Sequence, residues 1–333
     1  MGNFIRRFGL PVLKLSVLAL VVWGGHRTIA AGLTDLRQNG WRPSQLHPAW
    51  AVLAGLLYLL SQYPSGWFWH CVLIALGQRI PRWHALRAYY IGHLGKYFPG
   101  KALVIALRAA LVSRPYCKIS LAVVAVFYET FTTMAVGGVV AAMILLFTHR
   151  EQTWLIVGAL GLAVLVGLPT LPVVFVRLMR LLRMLPLERT ASEAISSDSN
   201  AAASFIHPSA KLLLCGWSTI AIGWIFAGAS LWAVLRAIGV ENMNLLTDLP
   251  LDTATVSLAV VLGFVSMLPA GVGVRDVVLL QLLAPRLEQL MPQQGQLLAL
   301  VAVIVLRLVW LAAEAALAAA IYPLTKAGKT AKP

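Results

Sequence analysis

Along this chain, long charge-poor runs alternate with short clusters of basic residues, and the runs have the length of helices rather than strands. The plainest of them covers positions 50–76 and holds no Asp, Glu, Lys or Arg, with Pro64 predicting a kink. Further runs cover about 10–31, crowded by Lys14, His26 and Arg27, and 119–147, interrupted by Glu129. The others cover 154–176, 212–235 and 296–322, the last carrying Arg307 and Glu314. Each reaches or exceeds the roughly 20 apolar residues that carry a helix across a bilayer. A hydrocarbon interior leaves no partner for unpaired backbone groups, so such runs are expected as helices. The predicted class is all-α: a polytopic helical membrane protein with about six full spans.

Two other apolar segments do not fit that period. Positions 89–112 contain Lys96, Lys101 and Arg108 together with Gly92, Gly95, Pro99 and Gly100. Positions 253–284 contain a turn at Pro269, Gly271 and Gly273, followed at once by Arg275 and Asp276. Helix breakers beside charges in the middle of an apolar run mark either an ordinary span kinked at proline or a hairpin that turns inside the bilayer. Non-helical backbone at that depth is tolerated only where protein or a wet cavity covers it.

Charge changes the picture by giving the runs a direction. The chain has 333 residues, 59% hydrophobic and only 12% charged, with a formal net charge of +15. In a polytopic protein that excess reads as the positive-inside rule and attraction to anionic headgroups, not as a nucleic-acid surface. Arg6 and Arg7, then Arg79, Arg82 and Arg87, then Arg114 and Lys118, then Arg177, Arg180, Arg183 and Arg189, and finally Lys326, Lys329 and Lys332 mark one side. The stretch 239–252, with Glu241, Asp248 and Asp252, marks the other as an external loop. Both termini are then cytoplasmic, in a cell inner membrane. A single crossing by 89–112 would invert every later loop, so a hairpin open to the cytoplasm keeps the pattern. By the same count 253–284 opens to the opposite side. Two hairpins from opposite faces, each between two spans, make an inverted repeat with broken helices.

The chain is accordingly expected to form one transmembrane domain over 1–333. A first half (1–176) and a second half (210–325) are joined by a basic amphipathic and Ser-rich connector (177–209), and a basic tail (326–333) closes the chain. The three cysteines show no metal or redox spacing, and the seven histidines form no zinc motif. No cofactor, metal or catalytic residue is expected, nor any nucleic-acid partner. Ionisable groups inside a bilayer are costly unless paired or hydrated. Glu129, Arg307 and Glu314 therefore need partners, or a polar route to line, and Glu129 is a candidate for Arg307. Residues following Pro99 restart a helix whose N–H groups favour an anion, with Lys96 and Lys101 flanking it.

The two broken segments also carry a resemblance. Lys96, Tyr97, Pro99, Gly100, Lys101 and Arg108 resemble the first signature of the flippase-like membrane proteins related to the transmembrane domain of lysylphosphatidylglycerol synthases. Pro269, Gly271, Gly273 and Arg275 are similar to the second signature, with Asp276 where Glu is usual. The resemblance implies binding of an anionic phospholipid or polyprenyl-linked saccharide by these residues and its movement between leaflets. The alternative is a non-transporting subunit that anchors or presents lipid to a glycosyltransferase or other envelope-synthesis enzyme. Because the chain ends just past its last span, the aminoacyltransferase activity of the bifunctional relatives is not expected. An integral-membrane glycosyltransferase using Asp248 and Asp252 is a third reading.

Overall fold

The computed structural model describes residues 44, 46–97, 102–112, 116–148, 153–171, 174, 177 and 210–322, apart from 267, 269, 270 and 272. The expected first span (10–31), the connector beyond Arg177 and the basic tail lie outside the described residues, as do Pro99, Gly100, Lys101 and Pro269. Among the described residues the regular structure is helical throughout. Four helices there are long and apolar enough to cross a membrane: Ile119–Thr148, Ala210–Ala237, Leu245–Val265 and Gly295–Ile321. The third belongs to the segment expected as a broken hairpin, and the run expected as a full span over 50–76 is not among them.

The first long helix, α1 (Pro48–Ala75), begins with a proline at its first position, where a missing N–H costs nothing. It continues through Pro64 as one element. A hairpin follows, made of α2 (Arg82–His93), a 3-10 turn over Leu94–Tyr97, and α3 (Ala102–Val112). Helix α4 (Ile119–Thr148) closes the first unit, and α5 (Thr153–Gly167) packs against it, Gly138 meeting Ala163. Only 15 residues long, α5 is extended by a 3-10 turn over Leu168–Thr170.

The second unit repeats the order of long helix, hairpin and long helix. It consists of α6 (Ala210–Ala237), α7 (Leu245–Val265) with α8 (Val274–Leu290), and α9 (Gly295–Ile321). The stretch expected as an external loop over 239–252 is shorter than predicted. Asn244 caps α7 by accepting from the Leu246 N–H at 2.9 Å, so Asp248 and Asp252 lie on a helix. The completely buried Asp252 and its neighbour Asp248 meet Arg286 of α8 at 2.6 and 3.0 Å.

Helices α1 and α6 lie antiparallel along their whole length. The His47 N–H donates to the Ala237 carbonyl, Ser230 donates to the Ala54 carbonyl, Gly223 abuts Ser61, and Gly216 abuts Phe68. The contacts fall at seven-residue intervals on each helix and use small residues, which let the backbones approach. The first hairpin is joined to the C-terminal end of α1 and the second to the C-terminal end of α6. The hairpins therefore enter the bundle from opposite ends.

Each hairpin closes on glycine. A Cβ on Gly95 would lie 2.7 Å from the Val104 nitrogen and 2.9 Å from the Leu103 carbonyl carbon, so a side chain there would force α3 away. In the second turn Gly271 and Gly273 have φ of +69° and +83°, which glycine adopts without the strain of a side chain. Asp276 then accepts from the Gly273 N–H at 3.1 Å and caps α8.

Candidate functional site

The turns of the two hairpins face one cavity of about 560 Å³, walled by α1, α4, α6 and α9. Most of its lining is apolar, but Lys96 and Arg108 enter it from the first hairpin and Arg275 from the second. Gly271 and Glu129 line it too. Phe127, which also lines it, is 40% exposed on α4, so the cavity reaches the outer face of the bundle.

The cations are held by carboxylates. Arg108, 2% exposed, donates through Nη1 to Glu129 at 2.8 Å and through Nη2 to His93 Nδ1 at 3.1 Å. Its guanidinium lies 3.9 Å from the centre of the Tyr89 ring. Because arginine only donates, His93 Nδ1 accepts and the ring carries its proton on Nε2. Glu129 also accepts from Tyr89, Thr130 and Thr133, at 3.3, 3.3 and 3.1 Å, so both of its oxygens are satisfied without Arg108. Lys96 donates to Glu314 at 2.5 Å and to the Tyr58 hydroxyl at 2.9 Å, and Tyr58 in turn donates to Glu314.

This pairing corrects the expectation that Glu129 serves Arg307. Glu129 is spent on Arg108, which sits within reach because Gly92 has no side chain to keep it away. Arg307 instead lies 3.3 Å from Asp276. Asp276 thus caps α8, braces Arg307 on α9, and approaches Arg275 at a longer 3.5 Å. The start of α8 is thus already occupied in part by this carboxylate. Arg275 is the cavity cation with the weakest internal partner, and its buried Nε has no hydrogen-bond acceptor among the described residues.

Of the residues singled out from sequence, then, Lys96, Arg108, Glu129, Gly271 and Arg275 share the cavity. Tyr97, Gly273, Asp276, Arg307 and Glu314 stand around it, the last three as ion-pair partners. Sequence reasoning missed Tyr58 and Trp310, whose rings stack at 4.3 Å and separate Lys96 from Arg275. A single aromatic in an apolar run carries no signal of its own. Sequence reasoning also missed Arg286, although two acids at i and i+4 on one arm of a hairpin call for a cation on the other.

Residues 12–302 match the family described as the lysylphosphatidylglycerol synthase TM region. The chain belongs to that family. The match includes both hairpins and every described residue that lines the cavity except Trp310. No curated protein matches the chain. Membership in the lysylphosphatidylglycerol synthase TM family makes this an integral membrane protein with a lipid-related role.

Proposed function

We propose that the protein binds the anionic headgroup of a phospholipid or lipid-linked saccharide between its two hairpins and moves it from one leaflet to the other. The observation that carries this reading is the convergence of Lys96, Arg108 and Arg275, from hairpins entering at opposite ends, on one otherwise apolar cavity. Paired hairpins of this kind suit alternating access, since each can admit the cavity to one side. A cavity that reaches the outer face at Phe127 suits a ligand whose acyl chains stay in lipid while its phosphate is held inside. On this reading the hairpins are re-entrant and the cavity lies near the middle of the bilayer. Arg275 is the first contact for the phosphate, because its internal partner is the weakest.

Reconstitution into vesicles with headgroup-labelled phosphatidylglycerol tests it. Wild-type protein is expected to expose inner-leaflet label to an impermeant quencher, and Arg275→Gln to slow that exposure by about tenfold or more, the equivalent of one charge-assisted contact. Equal rates for Arg275→Gln, Lys96→Gln and wild type would remove the cavity from the mechanism. Equal rates with and without protein would favour the alternative, a subunit that presents lipid to an envelope-synthesis enzyme.

A further inference from the structure

The two carboxylates that hold the first hairpin's cations differ in what they keep if the cation leaves. Glu129 has three other donors, from Tyr89, Thr130 and Thr133. Glu314 is 5% exposed and is not part of the cavity lining; it stands behind Lys96 and Tyr58. Its Oε1 accepts from Lys96 and Tyr58, while its Oε2 is buried with no hydrogen-bond partner among the described residues. Nearby charged and titratable groups come from every side. The first hairpin brings His93, 3.7 Å away through Nε2, with Lys96 and Tyr97; α1 brings Tyr58. From α8 come Arg275 near Lys96 and Asp276 beside Arg307, and Arg307 of α9 itself lies near Tyr97.

We infer that Glu314 takes up a proton when an anionic headgroup draws Lys96 into the cavity, so that headgroup binding is coupled to one proton. The inference rests on the anion-binding reading above. Lys96 lies between the cavity and Glu314, and it cannot fully serve a phosphate in one and a carboxylate in the other. Once Lys96 turns away, Glu314 is a buried charge without its cation, a state that proteins relieve by protonation. That proton sits on Oε2, which has no hydrogen-bond partner among the described residues. Glu129 does not need one, because its hydroxyl donors remain on both oxygens, whereas the Tyr58 hydroxyl left to Glu314 reaches only Oε1. The sign follows from linkage: the bound state holds one more proton than the empty state, so binding tightens as pH falls. The proton travels with the headgroup, and a pH difference across the membrane then biases the direction of movement.

The test uses the full chain in detergent and dihexanoyl phosphatidylglycerol, a soluble probe whose phosphodiester does not titrate between pH 5.5 and 8.5. Intrinsic tryptophan fluorescence, to which Trp224 and Trp310 of the cavity wall contribute, follows binding, and a pH indicator in weakly buffered solution follows protons. In the wild type the dissociation constant is expected to fall by up to about tenfold per pH unit, with one proton taken up per probe bound. Glu314→Gln is expected to bind with no pH slope and no proton uptake, Glu314→Asp to keep both, and His93→Gln to keep the slope. Binding by the wild type without proton uptake, or an undiminished slope in Glu314→Gln, overturns the coupling and leaves the anion site standing. No binding of the probe at any pH overturns the anion site and the coupling with it. Proton uptake by the wild type needs no variant, so a poorly folding Glu314→Gln does not protect the inference.

Discussion

Replacing Glu129 by Leu leaves the Arg108 guanidinium, 2% exposed, with the His93 nitrogen and the Tyr89 and Trp69 rings as its remaining partners. Both side chains of the pair are 3% exposed and 2.8 Å apart, so solvent screening does not discount their interaction. Removing one partner of a buried ion pair costs about 3–5 kcal/mol, most of it the penalty of the charge left behind. Arg108→Met removes that charge, and in the double variant the thioether and leucine fill the space between α3 and α4. The double variant is therefore expected to be more stable than Glu129→Leu alone, with a coupling energy of about 3 kcal/mol in a four-member cycle. The assay is reversible unfolding in mixed micelles, with helicity as the signal. Arg275 and Asp276, 3.5 Å apart, serve as the contrast, with an expected coupling of no more than about 1 kcal/mol. A coupling below about 1 kcal/mol for Arg108 and Glu129 in the same assay would refute the claim that their pairing sets the first hairpin against α4.

Two further predictions concern the fold. Gly95→Ala is expected to destabilise by about 1–3 kcal/mol because its Cβ meets α3 backbone, whereas Gly158→Ala, with nothing within 4 Å, is expected to be neutral or stabilising by about 0.5–1 kcal/mol. Thermal unfolding of both variants checks this, and an equal effect would dissolve the close packing of the hairpin arms. A Cβ on Gly55 would lie 3.4 Å from that of Ala313, close to the roughly 3.5–4.5 Å of a disulfide. Gly55→Cys with Ala313→Cys, in a chain with Cys71, Cys117 and Cys215 replaced by Ala, should cross-link on oxidation and hold the two halves together after cleavage between them. Failure to cross-link would sink the packing of α9 on α1.

The broken segments were legible because breakers and cations stand out against apolar sequence, and charge on the flanking loops implied that both segments double back. Both do, on Gly95 and on Gly263 against Gly271. Charge on the loops predicted hairpins open to opposite sides of the membrane; in the structure they are joined at opposite ends of the antiparallel pair α1 and α6. Partner choice was not legible. Arg307 and Glu129 both needed a counter-ion, but which pairs formed depended on Gly92 admitting Arg108 and on the turn of α8 placing Asp276 under α9. The start of α7 was misjudged because Asp248 and Asp252 look solvated until Arg286, 34 positions after Asp252, is brought beside them.

The seam between α1 and α6 limits how this molecule can move. Ser61 carbonyl oxygen against Gly223, and the Phe68 ring against Gly216, leave no room for one helix to slide or roll past the other. A one-turn shift would drive Phe68 into a larger neighbour and strip Ser230 from the Ala54 carbonyl. The pair is therefore an axle. On the translocation reading proposed above, the parts that turn are the hairpins, each against a shaft that the other half helps to build.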